Sequence, residues 1–203
     1  MYRVKDTADH PGRRERKKQA TRQALEEAAL RLTLERGVEH VTVEDICAEV
    51  DVSSRTFFNY FPSKERAMVG HGPLDADDEA IRRIAEGDGR EGLLDDLRAL
   101  LHQKAIGFKQ KRADMVCRRK LVERNPVLLP LMLENFDTYE RAVCEAIAQR
   151  IGTDPDADRY PQLVAGLIGT VMRVSFRRWT AGLGEKSLEA EVDRAFTTLT
   201  RGL

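Results

Sequence analysis

The residues best equipped for chemistry lie in the stretch SSRTFFNYFPSK at positions 53–64. Ser54, Arg55, Thr56, Asn59 and Tyr60 supply donors and acceptors of the kind that bond base edges and phosphates, where an ordinary solvated helix would carry more Glu and Lys. An arginine early in such a helix can bond guanine through two parallel hydrogen bonds, so Arg55 is the expected base reader. Catalysis has no comparable set of residues. His10, His40, His71 and His102 stand far apart with no metal-ligand spacing, and the glycine pair Gly87 and Gly89 lacks the strand and third glycine of a dinucleotide site. An enzyme, a metal site and a cofactor are therefore not expected. Cys47, Cys117 and Cys144 are too few and too widely spaced for a disulfide framework and read as reduced packing residues. Cys117 lies beside Arg118 and Arg119, whose charge favours a thiolate, which leaves a redox sensor as the other reading.

Short helices must position the polar set. Thr42 precedes VEDIC, which makes it an N-cap with acidic residues in the first turn, where the helix dipole favours them, and predicts a helix over 43–50. Ser53 caps a second compact helix that Pro62 ends, and Ser63 caps a third that Gly72-Pro73 breaks. Asp51 sits in the tight turn between the first two, and Asp tolerates a left-handed backbone better than most residues. Ile46, Cys47, Val50 and Val52 form an inner apolar face, with Phe57, Phe58 and Phe61 expected to pack the second helix onto it. Two short helices joined this way can lay the second in the major groove while the first braces it. A longer helix over 14–36 precedes them, with Gly37 as its stop.

The 203 residues carry 34 basic and 34 acidic side chains, so no global field marks a nucleic-acid binder. Charge is nevertheless unevenly spread: positions 1–22 hold eight basic residues against three acidic, and residues 1–13 read as a flexible basic arm that either meets phosphate or is merely solvated. No run approaches the roughly 18 to 20 apolar residues of a membrane span, and the polar start lacks a secretory apolar core, so a cytoplasmic protein without a membrane partner is expected. Beyond the acidic connector GPLDADDEA, helices are predicted near 78–86, 91–109, 112–123, 126–151, 157–182 and 187–201, separated by EGDGR, RNP, GTDPDA and GLGEK. The fold class is all-α, with a helix-turn-helix domain over 14–71 and a second helical domain over 72–203.

The segment ICAEVDVSSRTFFNYFPSKE closely resembles the pattern of the TetR family of bacterial transcriptional regulators, with matching positions at Ile46, Ala48, Val52, Ser53, Thr56, Phe57, Tyr60, Phe61, Lys64 and Glu65. The likeness covers about 14–69, and Asp51 departs from the glycine frequent in the turn. It implies a sequence-specific regulator, a repressor released from a palindromic double-stranded operator by a small-molecule effector. Thr42 and Lys64 would then bind phosphates at helix N-termini, Tyr60 would bind phosphate, and Ser54, Arg55 and Thr56 would face the groove. FFNYFPSKE also resembles the subgroup that includes mycofactocin-associated regulators, which implies an acyl-coenzyme A effector. A helical DNA-binding protein without any effector is the alternative.

The C-terminal residues leave two readings open. Phe108, Met115, Phe136, Tyr139, Met172 and Phe176, with Trp179, either surround an apolar effector cavity or simply pack the core. Arg119 and its cationic neighbours either meet an acyl thioester or lie on solvated helix faces. A homodimer is expected because one short recognition helix contacts few bases, and two apolar rows are candidates for its interface. Leu163, Leu167, Val171 and Val174 form the first, with Gly166 and Gly169 allowing close approach of a neighbouring helix. Leu188, Val192, Phe196 and Leu199 form the second, though either row serves equally well as core.

Overall fold

A computed structural model describes residues 11–70, 79–108, 111–184 and 187–202. The chain divides into two compact units, Met1–Gly70 and His71–Leu203. The basic arm up to His10 and most of the acidic connector lie outside the described residues. Among the described residues there is no strand, and no helix is long and apolar enough to cross a membrane.

In the first unit α1 (Pro11–Arg36) packs against α2 (Val43–Val50) and α4 (Lys64–Val69), while α2 also meets α3 (Ser54–Phe58). Helix α1 starts three residues before the expected Arg14, with proline at its first position, where the missing N–H costs nothing. Leu25, Ala28, Ala29 and Leu32 share one face of it by their i, i+3, i+4 spacing, and all four are buried, as are Ile46, Cys47, Phe57, Phe61 and Met68. Asp51 adopts φ 56°, ψ 51°, the left-handed turn expected of it, and its N–H donates to the carbonyl of Cys47. Helix α4 ends at Gly70, whose φ of 67° suits glycine, before the expected Gly72-Pro73.

The second unit contains α5 (Glu79–Glu86), α6 (Leu93–Ile106), α7 (Arg112–Arg124), α8 (Leu129–Ile151), α9 (Arg159–Ala181) and α10 (Leu188–Gly202). Pro126–Leu128 forms a 3-10 turn where α8 was expected to begin. Helix α8 is central, packing against α5 and α9; α9 also meets α7 and α10, and α10 lies on α6. The core runs from Ile84 and Leu97 through Tyr139 and Ile147 to Met172, Val192 and Phe196.

Candidate nucleic-acid interface

The turn between α2 and α3 is held by caps that the sequence itself encodes. The Thr42 hydroxyl accepts from the Asp45 amide at 3.1 Å, and Asp45 Oδ2 accepts from the Thr42 amide at 2.9 Å and from its hydroxyl at 2.8 Å. The Thr42 bonds, with help from Arg36, hold the Asp45 carboxyl below the usual carboxylate range, so it stays ionised near neutral pH. Thr42 is thus a cap first, and a phosphate would have to compete with Asp45 for both its donors. At α3 the Ser53 hydroxyl accepts from the Thr56 amide at 3.1 Å and shares a 2.9 Å hydrogen bond with the Thr56 hydroxyl. Ser53 and Thr56 therefore build the helix start, and Arg55 and Asn59 are left exposed, with Ser54 and Tyr60 half-buried at the margins.

Behind this face Phe57 and Phe61 are buried with ring centroids 5.7 Å apart. Phe58 does not join them, contrary to the expectation that all three phenylalanines pack inward; it is 56 % exposed. Local geometry is the reason: Phe61, just past the end of α3, donates its N–H to the Phe57 carbonyl at 3.0 Å and so turns in beside Phe57, whereas Phe58, one residue on along the helix, is turned about 100° away.

Lys64, expected at a phosphate, has partners within the chain. Its Nζ donates to the carbonyls of Val38 at 3.0 Å and Val41 at 2.8 Å, bolting the start of α4 to the 3-10 turn Val38–His40 that leads into Thr42. Its ammonium serves two backbone carbonyls 23 and 26 residues away in sequence. Lys64→Ala is expected to cost about 1.5–3 kcal/mol of stability, the range for hydrogen bonds involving a charged group. Denaturant unfolding of the full chain measures that loss. The slope of log affinity for DNA against log salt separates the roles: it stays unchanged if Lys64 serves the carbonyls alone and becomes shallower by about one if it also binds a phosphate.

The residues expected around an effector are brought together, but as core. Phe108, Met115, Tyr139 and Met172 are buried in the main apolar cluster, with Phe136 and Phe176 packed against it. Phe108 and Phe176 meet edge to face at 6.2 Å, and Phe176 lies 6.0 Å from Trp179. Arg119 is half-buried and pairs with Glu123 at 3.5 Å, one turn along α7. Of the polar groups buried nearby, sequence reasoning passed over Lys104 and Ser175. Lys104 reaches over the Tyr139 ring at 5.7 Å, and Arg118 lies on the buried side of α7. The Ser175 hydroxyl and the Trp179 indole N–H, both buried on α9, have no hydrogen-bond partner among the described residues. Cys47 and Cys144 are buried, and burial pushes both thiols up; Cys117 is half-buried.

The two expected interface rows separate. Leu188, Val192 and Phe196 are buried within the chain and Leu199 packs beside them, because α10 has a single apolar stripe and spends it on α6 and α9. Val171 is likewise buried, whereas Leu163 and Leu167 are 66 % and 40 % exposed. Within the chain, Gly166 and Gly169 receive Glu140 of α8: a Cβ at Gly169 would stand 3.1 Å from its carboxylate. What α9 and α10 leave outside is a groove of about 400 Å³ lined by Leu167, Thr170, Val174, Arg194 and Thr198 among others.

Residues 25–66 match the family described as bacterial regulatory proteins, tetR family, and residues 91–203 match the MftR C-terminal domain. The HTH-type transcriptional regulator TcmR of Streptomyces glaucescens is 33 % identical over 195 residues, spanning 87 % of this chain and 80 % of that protein. The fold is shared with FadR of Thermus thermophilus, a TetR-family transcriptional repressor solved with lauroyl-CoA. The two superpose with a TM-score of 0.52 at 24 % identity over 90 % of this chain and 94 % of that one.

Proposed function

The chain belongs to the TetR family of bacterial transcriptional regulators, and on that premise we propose that it is a repressor that grips a palindromic operator as a twofold dimer and leaves it when a small molecule binds the C-terminal unit. The observation that supports the DNA-reading role is the division of labour on α3. Phe57 is buried with Phe61 behind it, and the caps consume Ser53 and Thr56, so Arg55 and Asn59 are the polar side chains left to face outward, flanked by Ser54 and Tyr60. Arg55 reads a base, Ser54 and Asn59 contact neighbouring edges, and Tyr60 holds a phosphate in this reading. The protein would work in the cytoplasm, where its operator is.

An acyl thioester or another apolar molecule with a polar head is the effector class we favour. Buried Lys104 and Arg118 supply positive charge inside an apolar unit, and the Ser175 hydroxyl and Trp179 N–H are donors whose burial is costly until something accepts from them. The lauroyl-CoA held by FadR accords with that class. Binding requires Phe108 and Phe176 to part, which ties ligand entry to repacking of the core. An effector lowers operator affinity tenfold if it prefers the released conformation by only about 1.4 kcal/mol.

Arg55→Ala tests the reading of α3. A bidentate guanine contact is worth roughly 1 to 3 kcal/mol, so the preference for operator over scrambled duplex is expected to fall about tenfold with little change in non-specific binding. Fluorescence anisotropy with both duplexes measures it, and a variant that keeps the parent's preference defeats the base-reading role. For the effector, a series of acyl-CoA chain lengths is scanned for a rise in melting temperature and release of operator.

A further inference from the structure

We propose that Phe58 is a specificity residue that recognises the C5-methyl group of a thymine in the major groove. The inference rests on the reading of α3 as the groove helix and assigns the one exposed apolar side chain on it. Single exposed apolar residues are common on protein surfaces and by themselves mean little. Phe58 differs in its setting. It stands 56 % exposed on a helix of five residues, one turn after Arg55 and beside Asn59, both exposed. The core has no call on it, because Phe57 and Phe61 already fill the rear of α3. Its ring is nonetheless held, meeting Phe57 edge to face with centroids 5.5 Å apart and planes at 89°.

A phenyl ring has no group with which to bond a phosphate, so the partner it can gain from on a duplex is apolar. In the major groove that partner is the thymine methyl, which phenylalanine is one of the side chains suited to meet. Removing the methyl from water on both sides of the contact is the driving force, and it is absent for cytosine and for uracil. Arg55 favouring guanine and Phe58 favouring thymine, one helical turn apart, would together read two different bases of one half-site.

The test uses the full-length protein and an operator selected by the parent from random-sequence duplex DNA. Each thymine of a half-site is replaced in turn by deoxyuridine, which deletes the methyl and leaves base pairing intact. One position is expected to weaken parental binding about fourfold, the value of one buried methyl, while Phe58→Ala binds the thymine and uracil duplexes equally. Because Phe58 is exposed, Phe58→Ala is expected to keep the parent's melting temperature. Uniform indifference of the parent to every uracil, or the same sensitivity in Phe58→Ala, overturns the inference. A loss of affinity in Phe58→Ala that no uracil reproduces assigns the ring to a sugar and equally overturns it. Failure here with Arg55→Ala still relaxing specificity leaves the groove-helix reading standing, whereas indifference to both substitutions removes that reading as well.

Discussion

Leu167→Glu is expected to yield a helical, folded monomer that has lost at least a hundredfold in operator affinity. Leu167 and Leu163 are the large apolar side chains that α9 leaves outside, and the groove between α9 and α10 continues that surface through Thr170, Val174, Arg194 and Thr198. A second copy related by a twofold axis would cover them and would set two recognition helices about 34 to 36 Å apart, or a multiple of that, to match a palindrome. An unpaired carboxylate on such an interface is costly, and the symmetry places two of them in each dimer. Losing the partner halves the base contacts, which accounts for the size of the effect. Sedimentation velocity at micromolar concentration, circular dichroism and anisotropy on the same samples provide the readout. Phe196→Glu is the wrong probe, since Phe196 is buried in the chain's own core and its replacement would unfold the protein. Parental protein that sediments as a monomer, or Leu167→Glu that stays dimeric on the operator, removes α9 as the interface.

Arg150→Ala is expected to cost about 3 kcal/mol, enough to lower the melting temperature by roughly 6 to 12 °C in a chain of this size. Arg150 is buried at the end of α8, where its Nε donates to the Gly89 carbonyl and its Nη2 to the Glu91 carbonyl, both at 2.8 Å. Its Nη1 reaches Asp96 at 2.6 Å. The guanidinium thereby ties the loop between α5 and α6 to α8, and Gly87 makes room for it: a Cβ there would lie 2.5 Å from Nη1. Asp96 is half in solvent, so most of the loss comes from stranding the two carbonyls. Arg150→Lys is expected to recover less than half, because a single ammonium cannot span three acceptors that a planar fork reaches together. Thermal unfolding at one fixed protein concentration is the measurement, since dimer formation shifts the midpoint. An Arg150→Ala protein melting within 2 °C of the parent refutes the clamp.

The sequence by itself determined the helix-turn-helix almost to the residue. The bonds that start α2 and α3 close over three residues: Thr42 to Asp45, Ser53 to Thr56. Such signals depend on local chain geometry alone, as does the left-handed turn at Asp51, and they can be read without knowing what packs where. The family resemblance was legible for the same reason, since its matching residues lie within one continuous stretch. Tertiary structure alone decided how amphipathic faces and long side chains are used. Periodicity shows that Leu188, Val192 and Phe196 share a face with one another, but the same spacing serves a core or an interface, and only the packing of α10 on α6 and α9 assigned them to the core. Phe57, Phe58 and Phe61 looked alike until the buried pair, Phe57 and Phe61, excluded Phe58. Lys64, Glu140 and Arg150 find their partners 23 or more residues away, where no local rule reaches and a long flexible side chain has many alternatives.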